Sequence, residues 1–373
     1  MEIVFFIFLF LAVYPYGIYP GVVYLISRLF NNPWHIGDIT PPLTIVISVY
    51  NEEKVIGEKL KNTLSLEYPE ELLEIVVISD GSTDKTNEIV SGFKEPGLVL
   101  KAFPERSGKT TCLNRVVPDT RGEIILFTDA NSMFPRDVLL KLVKNFLDER
   151  VGLVTGWTKY VQPGKEERAT GFYGKLERGT KYRESLISSC VGADGAIFAV
   201  RKNLYNPLMD EDINDFVIPL HVISQRKRVV LDPKIFCFEE SSKGEGDEFR
   251  RQVRITNRTL RAILRNPVFL NPFRFSYFSF FLLSHKLLRF MVPFFAGGAF
   301  LTNLLLAGRS TIYFCLAIIQ ILLVIVGLAN IKGKVEGKAA NICTFFLLTL
   351  SAQFSGWIRM VRGVSDTMWT PQR

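Results

Sequence analysis

Hydrophobic positions along this chain fall into three regimes. From Ile3 the run IVFFIFLFLAVYPYGIYPGVVYLI carries no charge between Glu2 and Arg28. As a helix rising 1.5 Å per residue it crosses the roughly 30 Å hydrocarbon core of a bilayer. The middle of the chain alternates short β-branched runs with amphipathic helical patterns, as an α/β domain does. From about Phe273 to Arg359 the chain is apolar again, with candidate spans at Phe290–Ala307, Thr311–Asn330 and Ala339–Ile358. The pattern predicts four membrane helices with one α/β insert.

Two segments admit two readings. The first run competes with a signal peptide, although it lacks a basic n-region and an A-x-A-like cleavage site. In SYFSFFLLSHKLLRF, His285, Lys286 and Arg289 interrupt an aromatic face, as in an interfacial helix with snorkelling cations or a helix lining a cavity. The boundaries are then 1–30 for an anchor, 40–245 for the α/β domain, 246–289 for interfacial amphipathic helices, 290–360 for three spans and 361–373 for a basic tail. PGKEERATG is the most linker-like piece of the middle.

Charge orients this arrangement. The net charge is +8, and Arg28, Lys332, Lys334 and Lys338 flank the spans, which places the middle domain on the cytoplasmic side of a multi-pass protein of the cell membrane. Four spans put the tail outside, whereas its Arg359, Arg362 and Arg373 favour the inside. The basic residues cluster at the membrane edge and carry no nucleic-acid signature. Five scattered cysteines without C-x-x-C, and three histidines without H-x-x-x-H, point to a reducing compartment and away from structural zinc.

Three strands of the middle domain end on polar groups: LTIVISVYNEE at Tyr50 and Asn51, EIVVISDGSTD at Asp80, and EIILFTDAN at Asp129. Helical patterns follow the first two at Glu53–Ser65 and Asp84–Phe93, with Thr83 or Asp84 as N-cap. The alternation predicts a parallel sheet covered on both faces, with a ligand crevice beyond the strands' carboxyl ends where strand order reverses. Glu52, Asp80 and Asp129 then share one edge. Three acids there repel unless a cation is present, and Mg²⁺ or Mn²⁺ holding a diphosphate answers that need. In PERSGKTTCLNR, Arg106, Lys109 and Arg115 add positive charge and Gly108 allows close backbone approach. SGKT is not a P-loop ending, because the motif's first glycine would fall at Phe103.

Taken in order, these motifs resemble those of the membrane-integrated, inverting glycosyltransferases of family 2, the group of hyaluronan, chitin, cellulose and poly-N-acetylglucosamine synthases and ceramide glucosyltransferase. The likeness runs from about Leu43 to Arg289. It implies a Rossmann-like GT-A nucleotide-sugar domain. SVYNEE resembles the opening motif that holds the uridine, implying roles for Tyr50 and Glu52. DGSTD places Asp80 on the uracil edge, and SGKTTCLN is similar to a G-K-x-x-x-L-N element, making Lys109 a nucleotide or diphosphate partner. TDAN stands where the family has its metal-binding D-x-D, so Asp129 and Asn131 are the implied metal residues. Asn131 departs from the pattern by offering an amide in place of a carboxylate.

VGADGAIFAVRK resembles the segment bordering donor sugar and acceptor, implicating Asp194, Gly195 and Ala196, and LERGTKYRES before it also resembles the family. Trp157 is a candidate acceptor-lining aromatic. DINDFVIPLHV matches the place of the catalytic base, which falls on Asp215, with Asn214 in the first position of the usual acidic pair. EFRRQVRIT is similar to (Q/R)-x-x-R-W on an interfacial helix: Arg251 and Arg254 match as nucleotide partners, and Ile255 replaces the usual Trp. The implied reaction moves a sugar from a nucleotide sugar, UDP before GDP, to a polysaccharide or lipid-linked acceptor with a β-linkage. Single-sugar transfer to a membrane lipid is the alternative. A transporter with a regulatory nucleotide-binding domain is the reading from another class, and it predicts intramembrane charges that the spans largely lack.

Overall fold

The N-terminal apolar run forms one long helix, α1 (Glu2–Leu29), which widens to a π-turn at Tyr14–Ile18, where Pro15 has no N–H to give. The computed structural model describes residues 1–161, 172–240 and 245–364. These divide into two compact units. One holds the described residues from Val23 to Glu240 with Asn271–Ser279; the other holds Met1–Val22 and the described residues of 244–270 and 280–364. The linker-like PGKEERATG and most of the basic tail lie outside the described residues.

The first unit is built on a seven-stranded sheet ordered β3-β2-β1-β4-β6-β5-β7. The strands are β1 (Leu43–Val49), β2 (Leu73–Asp80), β3 (Leu98–Phe103), β4 (Ile124–Asp129), β5 (Val151–Val161), β6 (Phe198–Arg201) and β7 (Arg228–Glu240). All seven β1 residues are buried, which is why LTIVISV is a continuous apolar run: it lies mid-sheet with both faces covered. β1 pairs in parallel with β2 and β4, β2 with β3, and β5 with β7. Among the described strands only β6 is antiparallel, against β4 and β5. The mostly parallel α/β architecture expected from the pattern is therefore the architecture found.

The helices that accompany the sheet include α2 (Ile56–Leu64), α3 (Thr86–Gly92), α4 (Lys109–Val116), α5 (Val138–Val143), α6 (Phe172–Ile187) and α7 (Asn214–Ser224). Leu139 and Leu142 of α5 and Ile56 and Leu60 of α2 pack with Ile45, Ile47, Val77 and Leu126 in one core. Each such side chain contributes about 1.5–3 kcal/mol on leaving water. α3 starts two residues after the expected Asp84, whose Oδ1 accepts the Thr86 N–H at 3.0 Å and satisfies part of the helix start.

After the sheet, α8 (Glu245–Arg265) is followed by α9 (Tyr277–Leu306), α10 (Thr311–Ile331) and α11 (Lys338–Val361). With α1, the last three are the four helices among the described residues long and apolar enough to cross a membrane. Exposed Ile312, Ile318, Leu322 and Ile325 on α10 suit lipid and not water. Close helix approach comes from small residues: a Cβ on Gly327 of α10 would stand 2.5 Å from Leu347 of α11, and one on Gly356 of α11 would stand 2.7 Å from Thr256 of α8. The stretch 277–289, expected as a separate interfacial helix, continues into the following span through a π-turn at Leu282–Leu287. A π-turn absorbs an extra residue without breaking the backbone ladder, and a hydropathy pattern does not register that.

Candidate active site

Strand order reverses between β1 and β4, and the carboxyl ends of β1, β2 and β4 leave the sheet at one edge. The register pairs Ser48 with Asp129 and Val49 with Ser79, so the polar residues after these strands start side by side. β6 runs the other way: Phe198 pairs with Phe127, so the residues just before it, Asp194–Ala196, reach the same edge.

The loops after β1 and β2 are knitted together. Asn51 adopts a left-handed φ of 53°, a conformation that Asn tolerates better than most residues. Its Oδ1 accepts the Thr83 N–H at 2.8 Å, and its own N–H donates to Ser82 Oγ at 3.1 Å. The Glu52 N–H donates to Thr86 Oγ1 at 2.8 Å, and the Glu52 side chain is buried.

Asp80, at the end of β2, accepts the Ser107 N–H at 2.6 Å and the Gly108 N–H at 2.9 Å, and the Cys112 thiol lies 3.3 Å from Oδ1. Burial, with the Asp80 charge beside it, pushes that thiol up to about 12. Gly81 has φ +69°, and a Cβ there would stand 2.7 Å from the Arg106 nitrogen, so the turn needs glycine. Asp80 and Gly81 thus seat the 105–108 loop. From it the Arg106 guanidinium lies 3.8 Å over the Tyr50 ring. Lys109, opening α4 behind Gly108, reaches Asp129 Oδ1 at 2.8 Å.

α4 also fastens the segment that leads to Asp215. Asn114 Nδ2 donates to the Leu208 carbonyl at 2.7 Å, and its Oδ1 accepts both the Tyr205 hydroxyl and the Leu208 N–H at 2.9 Å. Thr111 donates to Asp210 at 2.7 Å, and Thr110 to the Asp212 carbonyl at 3.2 Å. The sequence placed Asn114 in a motif but said nothing of this work.

Asp215 sits in the first turn of α7, and its carbonyl accepts the Ala193 N–H at 2.7 Å. A Cβ on Gly195 would stand 3.0 Å from Asp215 Oδ2, so the absence of a side chain there makes room for the carboxylate. Asp194 holds this turn: its carboxylate accepts the Thr158 N–H at 2.9 Å, the Thr158 hydroxyl at 3.0 Å and the Ala196 N–H at 3.1 Å. Trp157, beside Thr158 on β5, donates to the Pro233 carbonyl at 2.9 Å and lies under the Arg178 guanidinium at 3.8 Å.

The structure therefore brings Tyr50, Glu52, Asp80, Lys109, Asp129 and the Asp194–Ala196 turn with Asp215 to one sheet edge. Asn131 is partly exposed in the turn after β4. Arg251 and Arg254 fall on α8, in the other unit. Asp129 and Asn131 offer two hard oxygen donors, and no group of three or more His, Cys, Asp or Glu that could hold a metal occurs among the described residues. That donor set fits a small divalent cation that takes one or two protein ligands and completes its shell with phosphate oxygens.

Lys59 was not foreseen. It is fully buried on α2, donates to Thr128 Oγ1 at 3.2 Å and to the Ser132 carbonyl, and lies 3.8 Å over the Phe134 ring. Burial pushes its ammonium down to about 7, against the opposing pull of Cys237, Asp129 and Glu239. A signal was available: Ile56, Lys59, Leu60 and Thr63 share one helical face, and all four are buried.

Residues 44–205 match the family model described as glycosyl transferase family 2. Over 140 residues the chain is 36% identical to a β-monoglucosyldiacylglycerol synthase of Nostoc sp., covering 35% of this chain and 30% of that protein. Over 116 residues it is 32% identical to a poly-β-1,6-N-acetyl-D-glucosamine synthase of Staphylococcus aureus, covering 31% and 28%. The matched stretches thus span about a third of these curated relatives. The solved mannosyltransferase PcManGT of Pyrobaculum calidifontis, in complex with GDP-Man and Mn²⁺, superposes with a TM-score of 0.73 at 22% identity, over 96% of this chain and 99% of that one. At that identity the likeness speaks for the fold alone. With the strand-end motifs gathered at one edge of a mostly parallel sheet, residues 44–205 are a glycosyl transferase family 2 domain, in a chain whose described residues also hold four apolar helices of membrane-spanning length.

Proposed function

We propose that this protein is a membrane-embedded inverting glycosyltransferase, moving a sugar from a nucleoside diphosphate sugar to a glycan or lipid-linked acceptor. The observation that carries the reading is that the Lys109–Asp129 pair and the Gly195 turn, which backs the carboxylate of Asp215, lie at the same sheet edge. In this reading Asp215 takes the proton of the acceptor hydroxyl as its oxygen attacks the anomeric carbon. Single displacement inverts that carbon, so an α-linked donor gives a β-linked product. Tyr50, Glu52 and Asp80 border the nucleoside, and Lys109 faces the diphosphate.

Asp129 and Asn131 would hold Mg²⁺ or Mn²⁺, which when bound offsets the charge growing on the leaving diphosphate. Positioning and electrostatics supply most of the rate in such a site. UDP is the proposed carrier, and the catalytic domain is proposed to face the cytoplasm. A lipid acceptor is favoured by the diacylglycerol in one relative's name.

The test is a panel of UDP- and GDP-sugars on purified full-length protein with Mg²⁺ or Mn²⁺, reading nucleotide release and sizing the product. Release with at least one donor is expected; binding of nucleotide without release from any donor would refute the reading. Gly195→Ala checks the base pocket. Its Cβ would press on Asp215 Oδ2, and we expect at least a tenfold loss of transfer, about 1.4 kcal/mol of barrier, with nucleotide binding retained.

A further inference from the structure

The turn that carries Asp129 and Asn131 is anchored from behind on two sides. On the α2 side, one ammonium, that of Lys59, bonds residues on both flanks of the turn: the hydroxyl of Thr128 and the carbonyl of Ser132. Also on α2, Asn62 Oδ1 accepts the Phe134 N–H at 2.8 Å, and its Nδ2 donates to the Phe134 carbonyl at 2.9 Å. On the β7 side, Ser132 Oγ donates to Glu239 at 2.5 Å, and Met133 and Phe238 exchange two backbone hydrogen bonds of 2.8 Å. The Ser132 N–H closes the turn on the Asp129 carbonyl at 3.3 Å.

We propose that Lys59 is a positioning residue: by tying Thr128 to Ser132 it sets the span of the Asp129–Asn131 turn, so that the carboxylate and the amide oxygen face a divalent cation together. This rests on the reading of Asp129 and Asn131 as the metal-holding pair. A chelating turn with one charged and one neutral oxygen depends on geometry more than a two-carboxylate site does, because it has less charge to compensate for misplacement.

A buried ammonium is costly to keep, and an apolar residue of similar length would fill the same space against Phe134. Its place on a buried helix face beside Ile56, Leu60 and Thr63 is explained by the two bonds it makes across the turn. Its ammonium has no lone pair to offer a metal, and the residue is fully buried.

The experiment measures UDP and GDP affinity of the full-length protein in detergent by calorimetry, with and without Mn²⁺, for the parent and for Lys59→Met, Lys59→Gln, Thr128→Val and Asp129→Ala. For Lys59→Met we expect metal-free nucleotide affinity to be unchanged and the enhancement given by Mn²⁺ to fall about tenfold, about 1.4 kcal/mol. Lys59→Gln, which retains an N–H for the Ser132 carbonyl, should recover part of it, and Thr128→Val should lose less. An unchanged Mn²⁺ enhancement in folded Lys59→Met, or an equal loss with and without metal, overturns the proposal. If Lys59→Met does not fold, retention of the full enhancement by Thr128→Val overturns it instead. Asp129→Ala separates the two layers: if it keeps the enhancement, the metal reading itself fails and the proposal with it. If Asp129→Ala loses the enhancement and Lys59→Met keeps it, only the role of Lys59 fails.

Discussion

Asp215→Asn is expected to lower sugar transfer by about 10²- to 10⁴-fold, the usual contribution of a positioned general base, or about 3–5 kcal/mol of barrier. The substitution keeps size and shape, and the bond from the Ala193 N–H goes to the backbone carbonyl of Asp215, so the start of α7 should stay in place. What is lost is the ability to take a proton. Nucleotide affinity should therefore be unchanged, because on the proposed reading the nucleotide is held by β1, β2 and α4. The check is donor turnover beside calorimetric nucleotide binding on the same preparation. Turnover within threefold of the parent would remove Asp215 from the base role and direct attention to Asp210 or Asp212, which α4 holds nearby.

Asp80→Asn is expected to weaken nucleotide binding by about 100-fold, about 3 kcal/mol. The carboxylate accepts the N–H groups of Ser107 and Gly108 on its two oxygens. An amide has one acceptor, so one N–H would then face a donor. A charge-assisted hydrogen bond of this kind contributes about 1.5–3 kcal/mol, and a donor left without an acceptor adds a desolvation cost. The 105–108 loop would lose its seat, and Arg106 its place over Tyr50. If Asp80 acts as this loop anchor, UDP and GDP weaken alike. A loss confined to uridine nucleotides would instead assign Asp80 to the base edge. Measuring both nucleotides separates the two roles, which the family resemblance alone does not.

The two results together would divide the site into a nucleotide half, built by loops after β1 and β2, and a transfer half, built by the turn before β6 and the start of α7. α4 belongs to both halves. Lys109 on its first turn meets Asp129, and Asn114 on its last turn holds Leu208.

Local pattern determined much of this protein. The β-branched runs ending on Tyr50, Asp80 and Asp129 became β1, β2 and β4 because continuous apolar strands are stable only inside a sheet covered on both faces. The four long apolar helices among the described residues followed from length and hydropathy, which depend on neighbours in sequence only. That Tyr50, Asp80 and Asp129 lie at or just after strand ends was legible too, because the apolar run of a buried strand stops where polar side chains begin.

What the tertiary structure decided was what those residues touch. That Asp80 seats a loop 27 residues away, that Asp194 fixes the Gly195 turn through Thr158, and that Lys59 joins the two flanks of the Asp129–Asn131 turn all depend on strand order and helix placement. The same holds for the glycine at 195, whose missing side chain has meaning only once Asp215 lies against it. Contacts between segments distant in the chain leave no periodicity behind, so a lysine beside Ile56 and Leu60 on a buried helix face reads as an anomaly until the packing shows what its ammonium binds.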